Sequence, residues 1–208
     1  MIFSYLNFGR LIIYFLSINF LVIGNAFGQD TIVHRFVVQH SSTLNINGTS
    51  NVKDFQCKTS SCNSSDTLEL VRTSEKAEPV FIKNLVSINA SEFDCGMSMM
   101  TNGFLEDIKA KEYPQIKINF LSFQRLPKYE QGIEKINCHM MISLAGTSKT
   151  FNIKCILETD KSGFVHLKGE KFFKFSDFNL KPRKPMLGLV KINESLQVIF
   201  DLVLKVLK

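Results

Sequence analysis

The chain has no tryptophan and only five prolines in 208 residues. It contains no C-x-x-C pair, no H-E-x-x-H, no nucleophile elbow, no phosphate-cradling glycine loop and no dinucleotide fingerprint. Each of these motifs holds particular atoms where a reaction needs them, so their absence leaves none of the corresponding chemistries a sequence basis. Cys138 and His139 are consecutive in a predicted strand, which sends them to opposite faces and prevents both from binding one zinc ion. The other histidines, His34, His40 and His166, also fall in predicted strands with no carboxylate at an informative spacing, and all four read as surface or rim residues. No catalytic residue, no metal ligand and no enzymatic activity is expected.

Charge of one sign is also scarce. The formal net charge of +6 is a mild excess, and no basic run is interleaved with aromatics as a nucleic-acid face requires. Nucleic acid is therefore not an expected partner. The excess points to anionic membrane surfaces or headgroups, or simply to a solvated surface. The same two readings apply to Lys181, Arg183 and Lys184, which Pro182 and Pro185 stiffen into a basic loop.

Long apolar runs are confined to the amino terminus, where Arg10 precedes the uncharged stretch LIIYFLSINFLVIG. That stretch is short of the ~20 residues needed to span a bilayer. With Ala26 and Gly28 offering a small-residue cleavage site before Gln29, residues 1–28 read as a secretory signal peptide. Residues 29–208 then form one domain, and the expected location is the periplasm or beyond the cell. Such compartments permit disulfides, and five cysteines are an odd number, so at least one thiol stays free or pairs outside the chain.

What the chain has in plenty is alternation. Apolar residues at every second position run through 80–89, 134–145 and 150–159, and further strands are predicted at 31–40, 42–50, 52–58, 67–72, 115–126 and 163–175. Segments 187–192 and 195–206 read as a final hairpin turned at Asn193-Glu194. One stretch departs from period two. Asn102 suits an N-cap, Glu106 and Asp107 a first turn, Phe104, Leu105 and Ile108 a buried side, and Pro114 a stop. Strands with one wet face, joined by short turns, close most economically into a barrel without free edges. The expected fold is all-β: a single antiparallel, lipocalin-like barrel of about eight to ten strands with one short helix capping one end.

Strand parity and helix facing point Ile82, Val86, Ile88, Met100, Phe104, Ile118, Phe120, Met140, Ile142, Ile153, Phe173 and Phe200 into the barrel, with Phe104 and Met100 near its mouth. The cysteines sort by pattern. Cys57 and Cys95 each follow an aromatic-containing pair where a strand meets a connection, and they are expected to bridge, tying the helix entrance to a strand. Cys62, in the polar stretch 59–66, competes for Cys95 or stays exposed. Cys138 and Cys155 face inward on neighbouring strands two residues out of register, too far apart to bridge, and should remain buried thiols.

Taken in order, the segments SSTLNINGTSNVKDFQC, LVSINASEFDCGMSMM with its helix and EYPQIKINF, INCHMMISLAGTSKTFNI, and FSDFNLKP with LGLVKINESLQVIFDL resemble the YceI-like family over most of residues 31–204. The resemblance implies an exported barrel that encloses a polyisoprenoid or similar amphiphile, a quinone included, through apolar and variable contacts. It implies no other cofactor. The partners it implies are an amphiphilic isoprenoid lipid and transient contact with a membrane surface; oligomeric state is left open, a dimer included. The alternative reading is a secreted structural or stress-related barrel with a filled core and no ligand. The methionines at Met97, Met99, Met100, Met140 and Met141 suit either reading, since methionine adapts to irregular apolar shapes.

Overall fold

In the strands β9 (Glu134–Leu144) and β10 (Thr147–Thr159), Ile136, Cys138 and Met140 stand opposite Cys155, Ile153 and Phe151 on one face, while Asn137, His139 and Lys154 point to water. A two-residue turn joins them. Ala145 and Gly146 both take left-handed backbone angles, φ 50° and 78°, as a tight hairpin twisting with its strands requires. The computed structural model describes residues 31–59, 66–129, 132–184 and 186–207, and the same logic of one buried and one wet face runs through most of them.

The remaining strands are β1 (Ile32–Val38), β2 (Thr43–Ser50), β3 (Phe55–Thr59), β4 (Thr67–Arg72), β5 (Val80–Lys83), β6 (Leu85–Asn89), β7 (Phe93–Asp94), β8 (Gln115–Phe123), β11 (Val165–Lys174) and β12 (Ile192–Leu207). The ring runs β1-β4-β5-β8-β9-β10-β11-β12 and closes through β12 on β1, with β6 continuing β5 along β8. These are the eight staves of a closed antiparallel barrel, the all-β fold expected from the alternation. On the edge away from β11, β12 is long enough to serve two partners. Ile192 to Asp201 pairs with β2, and Leu204 to Leu207 pairs with β1.

Three elements differ from the sequence expectation. The hairpin at Asn193-Glu194 is not formed, and β12 runs straight through it. Both side chains are used locally instead: the Asn193 amide donates to Thr49 on β2, Glu194 accepts from the Ser176 backbone N–H, and the irregularity shrinks to a register shift between Ile192 and Leu196. The strand expected at 80–89 is interrupted at Asn84, whose carbonyl accepts from the Phe120 N–H. The interruption changes parity, so Phe81 rather than Ile82 turns inward, while Val86 and Ile88 keep their inward positions. Phe81 then packs on Phe120 and Phe123 at ring separations of 5.5 and 5.0 Å.

The helix, α1 (Ser98–Asp107), begins four residues before the expected cap, with Met97 at the N-cap and Asn102 inside. Thr101 explains the earlier start. Its hydroxyl accepts from the Cys95 N–H and so satisfies a donor where the chain enters the helix. Glu106 and Asp107 consequently fall in the last turn, the unfavourable end of the dipole for carboxylates. Residues 1–28 and Cys62 lie outside the described residues.

Candidate functional site

The inner faces of β2, β6, β8, β9, β11 and β12 converge beneath α1 and a short 3-10 segment, Phe175–Phe178. They enclose an apolar cavity of about 90 Å³, lined among others by Leu44, Phe104, Ile108, Ile116, Leu196 and Leu180. A second, smaller space of about 30 Å³ lies deeper, among Ile88, Phe120, Met140, Ile153, Phe200 and Leu202. Ile118, Ile142, Phe173, Leu44 and Val198 border both, so the two form one carbon-lined lumen. Lys174 is the single charged residue among those bordering the outer space, and its side chain stands exposed between the buried Phe173 and Phe175, so the wall itself is carbon. Each volume is well below the roughly 300–1,000 Å³ of a site that encloses a drug-sized ligand, because most of the lumen is filled by side chains.

Of the residues expected to point inward, Ile88, Phe104, Ile118, Phe120, Met140, Ile142, Ile153, Phe173 and Phe200 border this lumen. Val86 is fully buried but belongs to the packed core beside it. Met100 is half-buried and borders an outer groove with Phe55, Cys95 and Met97; it shares the face of Phe104 but lies one turn nearer the helix start, outside the lumen. Ile82 is 62% exposed and faces water, for the parity reason given above. The lining residues missed by the sequence reading are mainly Leu196 and Val198, hidden by the supposed turn before them, and Phe175, Phe178 and Leu180 in the segment after β11.

One glycine shapes the interior. Gly169 stands opposite Phe200 across the β11–β12 ladder, and a Cβ there would fall 2.3 Å from the ring. Phe200 therefore lies flat across bare backbone. The β10–β11 ladder spans Thr159–Val165 to Cys155–Gly169; towards the mouth, rings bridge the two strands, Phe151 packing on Phe173 at 4.8 Å and Phe178 at 6.0 Å. Side-chain packing between these rings takes the place of ladder hydrogen bonds between β10 and β11 at this end.

The mouth is covered by α1, which is fastened at both ends. At its start the expected disulfide joins Cys57 of β3 to Cys95. At its end Arg183, from the basic loop after the 3-10 segment, reaches Asp107 at 3.4 Å and Glu106 at 3.8 Å. The guanidinium crosses the helix where Gly103 has no side chain, since a Cβ there would come within 1.4 Å of it. Burial pushes the Asp107 carboxyl up to about 6, against the pull of Arg183. The opposite end of the barrel is closed by Tyr129, which packs on Phe36 and hydrogen-bonds His34 at 3.0 Å. Cys138 and Cys155 are buried free thiols two residues out of register, as expected.

On the outer face, His166 contacts Asp201 at 3.0 Å and Asp160 at 3.5 Å. This pairing was not legible in the sequence, because the partners come from β12 and a turn. Among the described residues no three His, Cys, Asp or Glu side chains group as a metal site.

No family model and no curated protein matches the sequence. Its fold does match solved structures. A polyisoprenoid-binding domain from Saccharophagus degradans, implicated in plant cell wall breakdown, superimposes with a TM-score of 0.61 over 82% of this chain and 97% of that one, at 11% identity. BcnA from Burkholderia cenocepacia gives 0.53 over 78% and 96%, at 17% identity. The chain therefore has the fold of these barrels.

Proposed function

We propose that the chain is an exported, YceI-like lipid-binding protein whose lumen takes the hydrocarbon chain of a polyisoprenoid or similar amphiphile, a quinone included. The observation that carries this reading is the lumen itself, lined by carbon, covered by α1 at one end and by the Tyr129 packing at the other. A wall without hydrogen-bonding groups selects for length and flexibility of an apolar chain, and leaves any polar headgroup outside the lumen. The binding described for the Saccharophagus domain of the same fold agrees with it. Entry of a long chain requires the Phe151, Phe173 and Phe178 rings to swing outward, because the present volume holds only a short segment of one. In this reading residues 1–28 are a signal peptide removed at Gln29, and the Cys57–Cys95 bridge suits an oxidising compartment.

The second reading, a secreted structural barrel with a filled core, is favoured by one observation, the small volume of the lumen. Native mass spectrometry and organic extraction of the exported protein separate the two. The carrier reading expects a co-purifying isoprenoid, and uptake of added long-chain isoprenoid that Ile142→Phe weakens by roughly tenfold through filling the space. Extracts free of lipid, together with no uptake by either protein, would establish the filled barrel.

A further inference from the structure

The end of the barrel that carries the cavity mouth also carries apolar side chains turned into water. Leu187 is fully exposed and Leu189 is 72% exposed, in the loop before β12; Val52 is 70% exposed, in the β2–β3 turn. The two loops are held together by three hydrogen bonds: the Asn51 backbone N–H to the Lys191 carbonyl at 3.1 Å, the Lys191 N–H to the Asn51 side chain at 2.7 Å, and the Asn51 amide to the Leu189 carbonyl at 3.0 Å. Leu189 and Val52 thus stand on joined loops, with Leu187 two residues before Leu189. Lys53, Lys184 and Lys191 flank them, and none of the ion pairs among the described residues uses these lysine side chains. The nearest acid in sequence is Asp54, beside Lys53.

Folding does not account for Leu187. Its backbone is left-handed, with φ 55° and ψ 28°, a conformation that costs a branched side chain energy and that asparagine tolerates better. A leucine that is strained in backbone and bare to solvent contributes nothing to the core. Strain of this kind, held where it is not needed for stability, marks a functional contact. The combination of protruding leucines with unpaired lysines matches a bilayer interface, whose acyl boundary accepts the leucines while anionic headgroups meet the lysines.

We propose that the Leu187–Lys191 loop and the Asn51–Lys53 turn form a docking rim for anionic phospholipid bilayers. The loop begins at Leu180, on the cavity wall, and fastens α1 through Arg183, so docking sets the mouth against the membrane. The purpose of the rim rests on the carrier reading, but its existence does not.

The test is flotation of the chain, as isolated after export, with vesicles of phosphatidylethanolamine plus phosphatidylglycerol, compared with phosphatidylcholine alone. Binding is expected only to the anionic vesicles and should fall as salt rises. Leu187→Asn with Leu189→Ser should lower partition by about tenfold or more, and Lys184→Gln with Lys191→Gln by about fivefold per charge. Because Leu187→Asn relieves a left-handed leucine, its denaturation midpoint should equal or exceed that of the parent, which separates lost docking from lost folding. Equal partition of parent and leucine variant overturns the proposal, as does no binding to anionic vesicles. So does a dimer by light scattering that dissociates in the leucine variant, which would make the patch a self-association face. Vesicle binding by a protein that carries no isoprenoid sinks the carrier reading and leaves the rim; cargo without vesicle binding sinks the rim alone.

Discussion

Gly146 and Asp107 show how single residues hold the mouth of this barrel. Gly146 combines φ 78° with a Tyr113 ring 2.8 Å from where a Cβ would stand. Gly146→Ala must therefore strain the β9–β10 turn and push that ring aside, and a loss of roughly 1–3 kcal/mol is expected in chemical denaturation. Asp107 makes a prediction in pH. Its carboxyl is raised by burial to about 6 in the folded chain from an ordinary 3.8, so its contribution to stability is complete below about pH 4 and is lost as pH rises through about 6. Glu69, Glu158 and Asp177 behave oppositely, held low by Lys83, Lys168 and Lys149. Their contributions are present above the ordinary carboxylate range and disappear as the pH falls below it. In Asp107→Asn, denaturation midpoints should match the parent near pH 4 and exceed it near pH 7, while the acid limb stays unchanged; a parent and variant that remain parallel across this range would refute the assignment.

Among the elements, α1 depends most on attachments. It is short, has no side-chain cap at Met97 and ends on two carboxylates, so its own propensity cannot hold it in place. The Cys57–Cys95 bridge closes a separation of 38 residues, worth about 3–4 kcal/mol in the chain-entropy model. Replacing both cysteines by serine should lower stability by about that amount, and amide exchange should rise first in α1 and β7. Uniform exchange across the barrel would mean that the bridge stabilises the molecule without specifically anchoring the helix. The elements also show what the sequence could convey. Where alternation was unbroken, as in β9 and β10, the facing of each residue was legible, down to the diagonal relation of Cys138 and Cys155. It was lost wherever a tertiary partner inserted an irregularity. Asn84 is an ordinary polar residue until the β8 backbone reaches it, and Asn193-Glu194 has the composition of a turn until β2 and Ser176 consume its hydrogen-bonding groups. The start of α1 was misplaced for the same reason, since Thr101 acts through the backbone of Cys95, which the bridge puts there.

For the whole molecule, the two ends of the barrel are built differently, and this asymmetry yields the most general expectation. At the far end Tyr129, Phe36 and His34 interlock, and Thr159 donates to the Tyr129 carbonyl, so backbone and side chains are pinned together. At the mouth the closure consists of a helix on a disulfide, one arginine lying in the notch left by Gly103, and three phenylalanine rings between the mouth-side parts of β10 and β11. Parting β10 from β11 at this end breaks no rung of their ladder, which stops at Cys155–Gly169, and the regions of a fold that open most readily are those with the least of such pairing. Amide exchange of the purified chain should be fastest in α1, the 3-10 segment and the mouth-side part of β10, and slowest around Cys155–Thr159 and Leu202–Leu204. An isoprenoid that enters the lumen contacts Phe104, Phe173 and Leu196 before it reaches Phe120, so its addition should slow exchange chiefly at the mouth. At a hundredfold excess over its dissociation constant it should also raise stability by about 2.7 kcal/mol. Protection appearing first around Tyr129 would place entry at the opposite end, and would reverse the roles of the helix and of the Tyr129 closure.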